Sequence, residues 1–163
     1  MKIQEAIEIF SQVSEEAKSL FGNLSQEKLN WKPSQEKWSI AQCLDHLMVT
    51  NNSYFPQLNR VIEGKHKNSF YQNIGFISRF CGDYLIKETG AVVNKPQKNP
   101  PNWTPSQSDL SSTIVSDFLK HQQDFSALIE QLDKTDLDKT VICSPALAAI
   151  TYNLTDLLTI LSG

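Results

Sequence analysis

His46 is the first residue in this chain that invites chemistry. It lies within residues 36–52, EKWSIAQCLDHLMVTNN. An imidazole two turns into an amphipathic helix is either a hydrogen-bonded core residue or one ligand of a metal ion. Its place on the helix bears on the choice. With Ile40, Leu44, Leu47, Asn51 and Tyr54 facing inward, Cys43, His46, Thr50 and Ser53 form a largely polar stripe along the edge of that face. A histidine there is expected to turn toward the bundle interior or a wet cavity, or to sit at a helix seam. Cys43 lies three residues earlier on the same face. A Cys–His metal pair is therefore open, and so is packing of Cys43 against Trp38 as a hydrophobic staple.

Other reactive side chains are scattered. His121 falls between Ile114, Phe118, Phe125 and Leu128, where it is either core or a second ring approaching His46. His66, in EGKHKNS, reads as a solvated loop residue. Asp45, Asp117, Asp124 and Asp156 sit on expected helices without a paired inward arrangement. Trp31, Trp38 and Trp103 read as packing anchors around the bundle ends. There is no glycine-rich phosphate loop, no Gly-x-Ser-x-Gly and no Cys-x-x-Cys, so no catalytic residue is assigned.

The elements that must position these groups read mostly as helix. Ile3, Ile7, Phe10, Val13, Ala17 and Leu20 recur at helical spacing, and Gly22 and Asn23 follow as a stop. A polar connector precedes Ser39, and Ser39-Ile40-Ala41-Gln42 is a capping box. That second helix is expected to reach Glu63, with Gly64 as its C-terminal cap and a kink at Pro56. A third is expected from Phe70 to Lys87 and a fourth from Ser108 to Leu132. A Pro-rich crossover at 89–107 separates them, long enough to span a bundle or carry function. The connector after Leu132 should hold one short extended piece. A short last helix from Asn153 to Ser162 carries Leu154, Leu157, Leu158 and Leu161 on one face. The expected fold is all-α, a four-helix bundle forming a single domain over 1–163.

Composition bounds the function. At 163 residues, with 40% hydrophobic and 20% charged residues, the chain has the make-up of a soluble globular domain. A net charge of -3 without a basic cluster argues against a nucleic-acid surface. No apolar run approaches bilayer length, and the acidic amphipathic start is not a signal peptide. Cys43, Cys81 and Cys143 are too few and too far apart for a disulfide framework, so a cytoplasmic home is expected.

The stretch LNWKPSQEKWSIAQCLDHLMVTNNSYF resembles the start of the second helix in the DinB-like (DinB/YfiT-type) family: a Trp-Ser pair, a helical run, then His-Leu. NPPNWTPSQS is similar to that family's Pro-rich crossover, and SPALAAITYNLTDLLTIL to its approach to the last helix. The resemblance covers nearly the whole chain and is carried by the order and spacing of the pieces. It implies a divalent metal, zinc or nickel, held inside the bundle by three histidines, the first matched by His46. The other two form a His-x-x-x-His pair on the last helix. This sequence reaches TDLLTILSG where the family continues into that pair, so an incomplete site is expected, through truncation or loss, with metal absent or weakly held. The implied activity is a metal-dependent thiol transferase or hydrolase. The alternatives are a non-catalytic small-ligand binder and a dimeric structural bundle. Expected partners are a small-molecule or thiol substrate and a second copy in a homodimer, with neither nucleic acid nor membrane.

Overall fold

A computed structural model describes residues 1–68 and 100–162. The third expected helix and most of the crossover lie outside those residues. The first helix, α1 (Ile3–Phe21), opens with Glu5, whose carboxylate accepts from the Lys2 backbone N–H at 2.9 Å. It buries Ala6, Phe10 and Ala17. Val13 and Leu20, expected on the same face, are 37% and 64% exposed, so the buried stripe is narrower than the apolar pattern. A short helix not anticipated from the sequence, α2 (Gln26–Asn30), follows, with the Ser25 hydroxyl accepting from Lys28 N–H at 3.4 Å. Its last residue clamps the segment that follows the crossover. The Asn30 side chain donates to Leu110 O at 2.8 Å and accepts from Leu110 N–H at 2.9 Å.

The helix expected from Ser39 to Glu63 is two helices, α3 (Ile40–Asn52) and α4 (Phe55–Ile62). The capping box at its start forms as read: Ser39 Oγ accepts from Gln42 N–H at 3.2 Å, and Gln42 Oε1 accepts from Ser39 N–H at 3.3 Å. The break follows from Pro56. Proline has no N–H for the Asn52 carbonyl, and its ring crowds that carbonyl, but it is tolerated in the first turn of a new helix. Gly64 follows α4 at φ +66°, the left-handed conformation that favours glycine just past a helix end.

The described part of the crossover holds one 3-10 turn, Pro101–Trp103, and α5 then runs over Ile114–Glu130. It starts six residues later than expected, because the preceding backbone is committed to the Asn30 clamp. Its inward face carries Phe118, Gln122, Phe125, Leu128 and Ile129. It lies along α1, with the Phe10 and Phe125 ring centroids 5.6 Å apart.

The connector forms two strands where one extended piece was expected. These are β1 (Val141–Cys143) and β2 (Thr151–Asn153), antiparallel with Ile142 opposite Tyr152. Strands this short do not stand alone. Side chains from the α4 region support them. Gln57 donates to Cys143 O at 2.8 Å and accepts from Cys143 N–H at 3.2 Å, taking the place of a neighbouring strand. His66 Nε2 donates to Val141 O at 2.9 Å, and Asn68 Oδ1 accepts from Val141 N–H at 3.3 Å. These contacts satisfy the open edge of β1. The last helix, α6 (Leu154–Ser162), buries Leu154, Leu157 and Leu158. The described residues are thus mostly helical, as the all-α reading requires, with one small hairpin at the end of the bundle. Their core falls in two clusters. One, around Phe125, Ile129 and Leu158, joins α1, α4, α5 and α6. The other, around Leu29, Leu44 and Phe118, joins α1 to α3 and α5.

Candidate functional site

The inward face of α3 is rotated from the expected one. Ala41, Leu44, Asp45 and Asn51 are buried, whereas Leu47 is 41% exposed. His46 is half-buried beside that face. Its Nδ1 lies 2.5 Å from the carbonyl oxygen of Trp103. A carbonyl can only accept, so Nδ1 carries the hydrogen, and in the neutral ring Nε2 keeps the lone pair. The Trp38 ring packs against the imidazole at a tilt, centroids 4.9 Å apart. Cys43, expected as the staple partner of Trp38, is exposed.

The described end of the crossover is sewn onto α3 beside His46. Gln42 Nε2 donates to Gln107 O at 3.2 Å, and Asp45 Oδ2 accepts from Ser106 N–H at 2.5 Å. Trp103 Nε1 donates to Ser53 Oγ at 3.1 Å. Asp45 is only 8% exposed, and its charge is met by that backbone donor. One turn beyond His46, Thr50 Oγ1 is buried with no hydrogen-bond partner among the described residues. Residues four apart share a helix face, so this hydroxyl and the imidazole address the same side of α3. Thr50 and Ser53 belonged to the polar stripe read from the sequence. The Trp103 carbonyl and the Asp45 anchor did not, because both depend on where a loop 57 to 61 residues away comes to rest.

A second polar pair lies deeper. Tyr54 and Tyr152 are each 1% exposed or less, with their hydroxyls 2.6 Å apart. Burial is the first cause raising both phenols above their ordinary value, and for Tyr54 the neighbouring Tyr152 adds to it. No sequence pattern links positions 54 and 152.

The remaining candidates are dispersed. His121 is half-buried and does not join His46. Its Nε2 is 3.2 Å from Asn52 Oδ1, its ring stacks near Phe125, and Nδ1 is buried with no partner among the described residues. Burial lowers its pKa, partly opposed by Asp124. His66, expected to be solvated, is half-buried and bonded to β1. Asp117 accepts from the Thr113 hydroxyl and Asp124 pairs with Lys120, both at the surface, while Asp156 sits in the first turn of α6. Trp31, expected as a packing anchor, is 67% exposed. Cys81 lies outside the described residues. Among the described residues no group of three His, Cys, Asp or Glu side chains is placed to hold a metal ion. The donor set they present therefore does not fit a three-ligand centre. None of the described helices is long and apolar enough to cross a membrane.

Residues 9–159 match the family model of the DinB superfamily. No curated protein and no solved structure gives a match.

Proposed function

We infer the function from the premise that this chain belongs to the DinB superfamily: it binds a small thiol or alcohol at the His46–Thr50 side of α3. The observation that carries this reading is the His46 Nδ1–H bond to the Trp103 carbonyl. It fixes the neutral ring so that Nε2 is an acceptor, while the Thr50 hydroxyl has no partner among the described residues. A ligand S–H or O–H can donate to Nε2. Held there, a thiol has a proton acceptor at hand, which is also the first requirement of a thiol-transfer reaction. The test is a heteronuclear NMR titration with N-acetylcysteine and with its S-methyl ether, which lacks the donor. The thiol should shift the His46 ring signals to saturation, the thioether should not, and His46→Ala should abolish the response elsewhere on α3. Equal responses to both compounds, or a response that survives His46→Ala, would overturn the reading.

A second reading, a metal-dependent transferase or hydrolase, is favoured by the same bond. An imidazole that gives Nδ1–H to a backbone carbonyl is oriented to offer Nε2 to zinc or nickel. The described donors beside it number fewer than such a centre uses, so no catalytic step is assigned to a metal here. We further propose a homodimer, supported by Ile160 and Leu161 of α6, which are only partly covered.

A further inference from the structure

We propose that Ser53 is a positioning residue for the His46 site, acting through Trp103, an inference that rests on the reading of that site as a thiol or alcohol binder. Neutral histidine in water favours the hydrogen on Nε2, whereas the bond to the Trp103 carbonyl requires it on Nδ1. The tautomer of His46 therefore depends on where one carbonyl of the crossover comes to rest. That carbonyl belongs to a residue held to α3 at two points. Its oxygen accepts from His46, and its indole Nε1–H donates to Ser53 Oγ at 3.1 Å. His46 and Ser53, the C-terminal cap of α3, lie two turns apart on one face of the helix, so Trp103 bridges them lengthwise. The chemistry of the second anchor is matched. An indole N–H can only donate. Ser53 has one hydroxyl hydrogen, which goes to Thr50 O at 2.5 Å, and its lone pairs are left for Trp103. The Trp103 ring also lies near the buried Tyr54, centroids 6.1 Å apart, but a ring contact is far less directional than a hydrogen bond. Asp45 and Gln42 hold the segment only further on, at Ser106 and Gln107. Among the described residues Ser53 is the hydrogen-bond partner of the Trp103 side chain, and it sets the register of that residue on α3.

Long-range proton–nitrogen NMR of the full chain, labelled at the histidine ring nitrogens, tests this. It reads the tautomer directly, without any ligand, at a pH where the ring is neutral, and His46→Ala identifies the signals. The unaltered chain should show Nδ1 as the protonated nitrogen of His46. Ser53→Ala should move both ring signals toward the mixture of tautomers in free histidine. It should also weaken N-acetylcysteine binding about fivefold, the equivalent of one neutral hydrogen bond. Ser53→Thr keeps the hydroxyl and should restore both. Trp103→Phe removes the indole donor and should repeat the Ser53→Ala shift, with the double variant going no further. A role in packing alone would leave the tautomer where it is. An unaltered chain protonated on Nε2 of His46 would overturn both the proposal and the reading of the site beneath it. A ring protonated on Nδ1 that is unchanged in Ser53→Ala, or not restored by Ser53→Thr, would overturn the role of Ser53 and leave that reading standing.

Discussion

At the residue scale, the pair most exposed to a test is Tyr54 and Tyr152. Each phenol is buried, and the other hydroxyl meets it. Truncating either residue removes the partner that the other has in this pair. Tyr152→Phe and Tyr54→Phe should therefore each cost about 1–3 kcal/mol. The double variant should cost less than the sum, which urea midpoints on all four proteins would reveal. The same burial fixes a pH dependence. The folded chain holds both protons above the ordinary tyrosine value of 10.0, whereas the unfolded chain releases them there. Stability is thus undiminished by this pair below pH 10 and falls as the pH rises beyond it. The double Phe variant should show a flatter alkaline limb, and identical limbs would refute the assignment. None of this was legible from positions 54 and 152, since 98 residues separate them. The half-buried place of His46 at the edge of its helix face was legible because its helix, its polar stripe and its Trp-Ser neighbours all lie within one short stretch.

At the element scale, what the sequence revealed was whatever local backbone chemistry controls. The Ser39–Gln42 capping box forms as read, and so does the turn at Gly64. The periodic stripes of α1 and α5 are helices. The misreadings have physical causes as well. Helix periodicity continues in phase through residues 53 and 54, so the pattern alone could not show that Pro56 would divide α3 from α4. The five residues of α2 are too few to display a period. β1 and β2 are held by Gln57, His66 and Asn68, side chains that carry no strand signal of their own. The seam between α3 and the crossover is likewise a long-range product, and Asp45 is its charged member. Asp45→Asn replaces a charge-assisted bond to Ser106 N–H with a neutral one, a loss of about 1 kcal/mol. Native-state hydrogen exchange at Ser106 should then quicken by roughly fivefold to tenfold, with α3 protection unchanged. Unaltered exchange at Ser106 would mean that the Gln42 and His46 bonds hold the segment by themselves.

At the scale of the whole molecule, the question is whether superfamily membership brings a metal centre with it. Membership is established over 9–159, but a centre is made by donors converging on one point, and a fold shared by many proteins need not keep them. Here His46 offers one oriented lone pair. His121 is turned to Asn52 and the aromatic rings of Phe55 and Phe125, and His66 is turned to β1. Recruiting either would break the bonds that now hold it. Cys43 is exposed one turn before His46, and burial of part of its surroundings raises its pKa, which disfavours the thiolate a metal requires. The 163-residue chain should therefore take up zinc or nickel weakly and below one equivalent. His46→Ala should remove most of that uptake, and Cys43→Ser should change it little. Equilibrium dialysis with metal analysis, run beside sedimentation to fix the mass, measures both. One tightly held equivalent per monomer would show that donors outside the described residues complete the site and would make the metal-dependent reading primary. Tight metal at half an equivalent per chain, found only in a dimer, would instead place the ion between two copies, each giving its own His46.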